Sequence, residues 1–315
     1  MTLVPETSSQ DPLSPPAGHG APPGMDTVYL NGTHLPKSEA RLSVEERGFL
    51  FGDGVYEVVP VYGGVPLRLA AHQQRLSRGL RELRIDFDPE ELGPILSELV
   101  ERNGLSEAPT SMVYLQVTRG DAPRIHHFPP EGTRPTVYAY AVSWARASSV
   151  AWNDGFGAVS LPDRRWARVD IKTVQLLPNV LAQEAAREAG VTDSIFVRDG
   201  IAIEAAHSNL FVVFGRSIRT HPASHQILSG ITRGVVLELA RSLGYDVEER
   251  PTASEALGVA SEVFLTGSLT EVRPIVRIDG CPVGDGTVGP VTRDLQRAFL
   301  ELVARECPAR VRAAT

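Results

Sequence analysis

The run Gly54-Val55-Tyr56-Glu57-Val58-Val59-Pro60-Val61-Tyr62 is rich in β-favouring residues, breaks at Gly63-Gly64 and resumes as Val65-Pro66-Leu67-Arg68-Leu69. Two such runs around a glycine pair read as a hairpin, which commits this part of the chain to a sheet with antiparallel strands. Val28-Tyr29-Leu30 ahead of Asn31-Gly32 gives a second hairpin signal. Ala70 to Leu83 then carries apolar or small residues at helical spacing, with arginines on the opposite side. Pro89 to Asn103 follows Asp88, an N-cap with proline at the first helical position, and ends at Gly104. Ser111 to Thr118 and Thr136 to Val142 read as strands, separated by a long loop. The order predicts an α+β domain over residues 26–143.

Residues 1–25 hold much proline, serine and glycine and few large apolar residues, which predicts a disordered tail. A linker over 144–149 leads to a larger domain, 150–315. Strands are expected there around Gly157 to Leu161, Asp193 to Arg198 and Leu210 to Phe214. Helices are expected over Pro178 to Ala189, Thr232 to Leu243, Ser254 to Val259 and Gly289 to Arg305. Two mixed domains with a site at their junction is the simplest architecture. A net charge of −7 without a basic block argues against nucleic acid and anionic membranes. No stretch approaches the roughly 20 apolar residues of a membrane span, and the start lacks the order of a signal peptide. A cytoplasmic location is the expectation. Cys281 and Cys307 are too few for a disulfide framework or zinc site, and the eight histidines form no metal constellation.

Of 31 basic residues only Lys37 and Lys172 are lysines. Lys172 lies in the alternating, strand-like stretch Arg168-Val169-Asp170-Ile171-Lys172-Thr173-Val174. Arginine supplies charge equally well. Lysine alone can lose its proton, attack a carbonyl and form an imine. Chance survival, as for Lys37, is the alternative. If Lys172 holds an aldehyde cofactor, pyridoxal 5′-phosphate is the candidate, since it joins an imine-forming aldehyde to an electron sink and a dianionic anchor.

Such a cofactor needs a carboxylate at its ring nitrogen, an anion seat for its phosphate and a cationic clamp for the substrate carboxylate. Glu204, in Ala202-Ile203-Glu204-Ala205-Ala206-His207-Ser208-Asn209-Leu210, is a candidate for the first, or else a solvated hairpin carboxylate. Leu228-Ser229-Gly230-Ile231-Thr232-Arg233 opens a helix, so the N–H groups of Ile231 and Thr232 form an anion seat or a simple N-cap. Ser268 offers a further hydroxyl. Arg75 is one of five arginines between Arg68 and Arg84, and pattern alone does not single it out. Alternation puts Arg124 and His126 on one side of an extended loop, able to grip a carboxylate or simply facing water. Tyr56 is either an orienting phenol or a core tyrosine. Val58 and the loop from Asp121 to Pro130 are expected to shape the pocket.

Taken in this order the segments resemble the fold-type IV pyridoxal-phosphate enzymes, and within them the bacterial D-amino acid (D-alanine) transaminases. The resemblance runs from about Val28 to Leu302. It rests on Arg47-Gly48-Phe49-Leu50-Phe51-Gly52-Asp53-Gly54-Val55-Tyr56-Glu57-Val58-Val59, and on Gln116 to Gly120 running into Pro123-Arg124-Ile125-His126. It rests also on Asp170-Ile171-Lys172 and on Leu228 to Arg233. It implies two α+β domains, with mixed sheets, a barrel-like C-terminal domain and flanking helices. Lys172 would form the imine and Glu204 would face the pyridine nitrogen. Arg75, Ile231, Thr232 and Ser268 would hold the phosphate, and Ser208 would be a further cofactor-binding residue. Tyr56, Arg124 and His126 would bind the substrate carboxylate beside Val58.

The implied reaction is ping-pong transamination between a D-amino acid and a 2-oxo acid such as 2-oxoglutarate, in a homodimer with its sites near the subunit boundary. The Arg-x-His pair favours this over aminodeoxychorismate lyase and branched-chain aminotransferases of the same fold, and an (R)-amine aminotransferase is a further alternative. Two positions depart from the family pattern. Ala205-Ala206-His207 replaces a serine-rich run, and Gly267 stands where a hydroxyl residue is common.

Overall fold

The computed structural model describes residues 26–308, so the expected tail over 1–25 lies outside the described residues. The first sheet contains β1 (Thr27–Leu30), β2 (Thr33–Pro36), β3 (Gly54–Tyr62), β4 (Val65–Pro66), β5 (Thr110–Thr118) and β6 (Thr136–Ser143). Its order is β2-β1-β6-β5-β3-β4, and every pairing is antiparallel. Asn31 and Gly32 both take positive φ (48° and 90°), the conformation a two-residue hairpin needs. Alternation along β3 sends Val55, Val59 and Val61 into a core under α2 (Leu69–Leu83) and α3 (Leu92–Arg102), where Leu76, Leu80, Leu96 and Leu99 meet them. Three expectations shift here. The second hairpin arm stops at Pro66 and Leu69 already begins α2; the helix foreseen from Pro89 is a 3-10 turn, Pro89–Glu91, followed by α3; and a short helix α1 (Arg47–Phe51) precedes β3.

The opposite face of this sheet shares a second core with the rest of the chain. Tyr62, Met112, Val142 and Trp144 pack there with Phe211, Phe264 and Phe299. Tyr62 Oη donates to Glu271 Oε1 at 2.8 Å, and Arg146 reaches the same carboxylate at 2.7 Å, which ties the two halves together. The expected linker ends in a short helix, α4 (Ser149–Asp154).

The second sheet runs through β7 (Phe156–Pro162), β8 (Asp193–Arg198), β9 (Ile201–Ala205), β10 (Asn209–Phe214), β11 (Ser217–Thr220), β12 (Asp246–Glu249), β13 (Thr252–Ala253), β14 (Glu262–Gly267), β15 (Glu271–Ile278) and β16 (Cys281–Pro282). The path β10-β14-β15-β7-β8-β9 closes on itself because β9 also pairs with β10 at Glu204↔Asn209. The result is a small closed barrel, and α5 (Leu177–Glu188), α6 (Ile231–Ser242) and α7 (Pro290–Glu306) accompany it. The barrel-like form expected from the resemblance is present. Residues 168–174, read from their alternation as strand-like, are instead an irregular loop with one bridge, Val55↔Thr173. Ser254–Val259 is a 3-10 helix.

Glu262 joins the barrel to α7. Its carboxylate accepts from the N–H groups of Val291 (3.0 Å) and Thr292 (2.8 Å) and from the Thr292 hydroxyl (2.7 Å), all buried at the helix start. A negative group there satisfies free N–H donors and opposes the helix dipole. Glu262→Ala should therefore cost about 1–3 kcal/mol, from the stranded donors, read as a lowered urea midpoint.

Candidate active site

A cavity of about 830 Å³ opens where the barrel meets the end of β3, and Lys172, Glu204, Arg75, Tyr56, Val58, Ser208, Ile231, Thr232 and Ser268 all line it. The Lys172 loop is pinned to β3 at two points, by Tyr56 N–H donating to Lys172 O (3.0 Å) and Val174 N–H donating to Gly54 O (3.1 Å). Lys172 Nζ then lies 4.0 Å from the centroid of the Tyr56 ring. Loop irregularity explains why the alternation in the sequence misled: the segment docks against a strand end and forms no ladder of its own.

Glu204 is buried, not a solvated hairpin carboxylate. Arg165 Nη1 donates to Glu204 Oε1 at 2.5 Å, Asn209 Nδ2 to Oε2 at 2.9 Å, and the Leu228 N–H points at the same carboxylate. Burial pushes the Glu204 carboxyl up, to about 7, against the downward pull of Arg165 and the Leu228 N–H. Asp163 holds Arg165 in a bidentate pair (2.9 and 2.8 Å). A carboxyl poised near neutrality responds to whatever sits in front of it, and a cationic ring nitrogen would draw it into the charged form.

The candidate anion seat is built from two sides. Gly230 caps α6 with no side-chain hydrogen bond to the helix start, which leaves the N–H groups of Ile231 and Thr232 for a ligand. A Cβ on Gly230 would lie 2.1 Å from Asn209 Oδ1, so only glycine allows the loop this close to Asn209. From the other side comes Arg75. Its Nε and Nη2 donate to the two oxygens of Glu57 (2.7 and 2.8 Å), and His72 Nδ1 is 2.8 Å from the same carboxylate. Ser208 Oγ and Thr270 Oγ1 pair at 2.9 Å. A side chain on Gly267 would press on both hydroxyls, at 3.1 and 3.2 Å, so the glycine at this departure leaves them room. His207 Nε2 lies 3.6 Å from Asp193 Oδ1.

Arg124 and His126 are not among the described residues lining the cavity. Both are exposed, and both pack on Phe51, which does line it: Arg124 Cζ is 5.2 Å and the His126 ring 5.8 Å from that ring's centroid. Sequence reasoning missed Arg165, Asn209, Thr270 and the Glu57–His72 pair. Glu57 did leave a signal, as a lone acid in phase with Val55, Val59 and Val61 on an inward face. Arg165 left none in a chain so rich in arginine.

Burial alone would raise the Glu57 carboxyl, but Arg75 and His72 outweigh it and hold it well below the usual carboxylate range. A depressed folded value means that the pair's stabilisation is full above the ordinary 4.5 and fades as pH falls beneath it. Glu57→Gln should cost about 3 kcal/mol at pH 7 by unpairing buried Arg75. Urea melts at descending pH should show that gap narrowing once pH drops through the carboxylate range.

Residues 54–278 match the family Amino-transferase class IV. A D-alanine aminotransferase from Bacillus licheniformis is 39% identical over 281 residues, covering 89% of this chain and 98% of that protein. One from Staphylococcus haemolyticus is 38% identical over 277 residues, 87% of this chain and 97% of that protein. Among solved structures, a branched-chain amino acid aminotransferase from T.th., in a form with pyridoxamine 5′-phosphate, superposes with a TM-score of 0.81 at 30% identity, over 90% of this chain and 96% of its own. The Escherichia coli branched-chain amino acid aminotransferase gives 0.81 at 28% identity, over 91% and 97%. With a lysine, a buried carboxylate and an anion seat gathered in one cavity, and a family match over most of its length, the chain belongs to the class IV, or fold-type IV, aminotransferases.

Proposed function

We propose that the chain is a pyridoxal-phosphate-dependent aminotransferase that moves an amino group between a D-amino acid such as D-alanine and a 2-oxo acid such as 2-oxoglutarate. One observation carries the reading: a lone lysine amine, the Glu204 carboxylate and the Arg75–α6 anion seat share a single cavity. The cofactor fits these residues: an amine faces its aldehyde, a carboxylate its ring nitrogen, and an arginine with free helix N–H groups its phosphate. Bound there, it supplies an aldehyde and a protonated ring that accepts electron density.

Lys172 Nζ would hold the aldehyde carbon and, once exchanged for the substrate amine, carry the proton leaving Cα. Glu204, steadied by Arg165 and Asn209, would keep a proton at the ring nitrogen. Arg75, the Ile231 and Thr232 N–H groups and Ser268 would hold the phosphate, with Ser208 a further residue on the cofactor. Tyr56 and Val58 would face the substrate, with Arg124 and His126 gripping its carboxylate.

The same reading includes a homodimer, 26–143 and 150–315 as its two domains about the linker, and a cytoplasmic location suggested by composition. Phe49, Leu177, Val180 and Leu181 are 59–75% exposed, and Phe49 and Leu177 stand in the cavity lining. Such an apolar rim favours cover by a second copy, and Arg124 and His126, exposed beyond Phe51, would then serve a cavity across the boundary. Transamination of branched L-amino acids is the second reading, supported by the fold similarity to branched-chain enzymes. The D-specific reading has the higher identities, 38–39%, on its side.

An absorbance scan of purified protein should lose its bound-cofactor band with D-alanine and keep it with L-alanine or L-leucine; the reverse pattern would defeat the D-specific reading. Lys172→Ala should show no borohydride-reducible adduct. Lys172→Arg should fail nearly as badly, with turnover down by about 10⁴-fold, since its guanidinium stays charged.

A further inference from the structure

Residues 121–135 contain no helix and only a single bridge, at Asp121, yet they carry Arg124 and His126. Ala122 N–H also donates to the Glu45 carbonyl at 3.4 Å, and beyond it the stretch from Arg124 to Phe128 is held by two arginines that share Asp53. Arg47 Nε and Arg119 Nε both donate to Asp53 Oδ2 (2.9 and 2.8 Å), and Arg119 Nη2 donates to Oδ1 (2.9 Å). Arg47 Nη1 then donates to the carbonyl of Ile125 at 2.8 Å, between Arg124 and His126. The Arg119 guanidinium lies 3.7 Å from the centroid of the Phe128 ring, and its remaining donors cap the carbonyls of Leu83 and Arg84 at the end of α2. One carboxylate thus fixes the segment at the centre of the Arg-Ile-His triplet, through Arg47, and again just beyond it at Phe128, through Arg119. The side chains involved are nearly enclosed, at 4%, 8% and 12% exposure for Arg47, Arg119 and Asp53. Water therefore competes weakly for these bonds.

Phe51 completes the arrangement. Its ring lies against Arg47 (4.7 Å), Arg124 (5.2 Å) and His126 (5.8 Å), so the segment is seated on α1 by packing as well as by the Ile125 carbonyl. A loop without a ladder keeps a defined shape only where side chains over-determine it. We propose that Asp53 is a positioning residue: through Arg47 and Arg119 it sets the orientation of Arg124 and His126, and with it the grip on the substrate carboxylate. The proposal rests on the reading of Arg124 and His126 as that grip.

Three variants of the holoenzyme separate the possibilities. Asp53→Asn should raise KM for both D-alanine and 2-oxoglutarate on the order of tenfold, with kcat within about twofold and the bound-cofactor absorbance retained. Amide hydrogen exchange over 123–128 should quicken. Phe128→Ala, which removes no charge from the buried cluster, should shift KM in the same direction by less. Arg124→Gln tests the underlying grip. If Arg124→Gln leaves KM unchanged, the carboxylate reading fails and takes this proposal with it. If Arg124→Gln raises KM while Asp53→Asn and Phe128→Ala do not, positioning by Asp53 is overturned and the grip stands. Should Asp53→Asn fail to fold, an unchanged KM in Phe128→Ala is enough to overturn it.

Discussion

A barrel that closes on a glutamate must provide for a charge in its wall. Glu204 and Asn209 sit opposite each other where β9 and β10 seal the barrel, and a carboxylate buried there is tolerable only if several donors meet it. Arg165, Asn209 and the Leu228 N–H do so. The same asparagine also donates to the Leu228 carbonyl at 2.8 Å and leaves no space for a side chain on Gly230. The solution to the burial problem therefore fixes the distance between the carboxylate and the start of α6. The acid proposed for a ring nitrogen and the seat proposed for a phosphate come out as one rigid unit, because the seam that needs the acid also places the helix.

The other half of the site obeys a similar rule in the first sheet. Glu57 is turned inward by the alternation of β3 and is acceptable in that core because Arg75 and His72 reach it from α2. Arg75 thereby arrives at the cavity already oriented by two hydrogen bonds, with little side-chain entropy left to lose on meeting an anion. The Lys172 loop hangs between these two constructions, tied by its backbone to β3. Neither sheet alone assembles the cavity.

How much of this was legible depends on whether a residue's setting is local. The first hairpins, α2, β5 and β6 announced themselves through turn residues and periodicity. The α6 start was visible because Ser-Gly precedes an amphipathic run. β15 went unrecognised, since Pro274 argues against a central strand; it is accommodated there beside a register shift between Ile275 and Arg277. The alternation of 168–174 imitated a strand for a loop whose partners come from β3, far away in sequence. Among site residues, the lysine and glutamate could be nominated from chemistry. Arg165 could not, as its role exists only because the barrel brings it within 2.5 Å of Glu204. Arg124 and His126 were nominated by spacing, and the fold sets them behind Phe51, outside their own chain's cavity lining.

The scarcity of lysine has an outcome beyond catalysis. Lys37, the other side-chain amine, is exposed in a 3-10 turn next to the outermost strand of the first sheet. Every other cationic side chain is an arginine or a histidine, neither of which condenses with free aldehydes as a lysine does. Apart from the α-amine, the surface thus offers a reactive aldehyde almost nothing to hold, and adventitious side-chain adducts have essentially one exposed address.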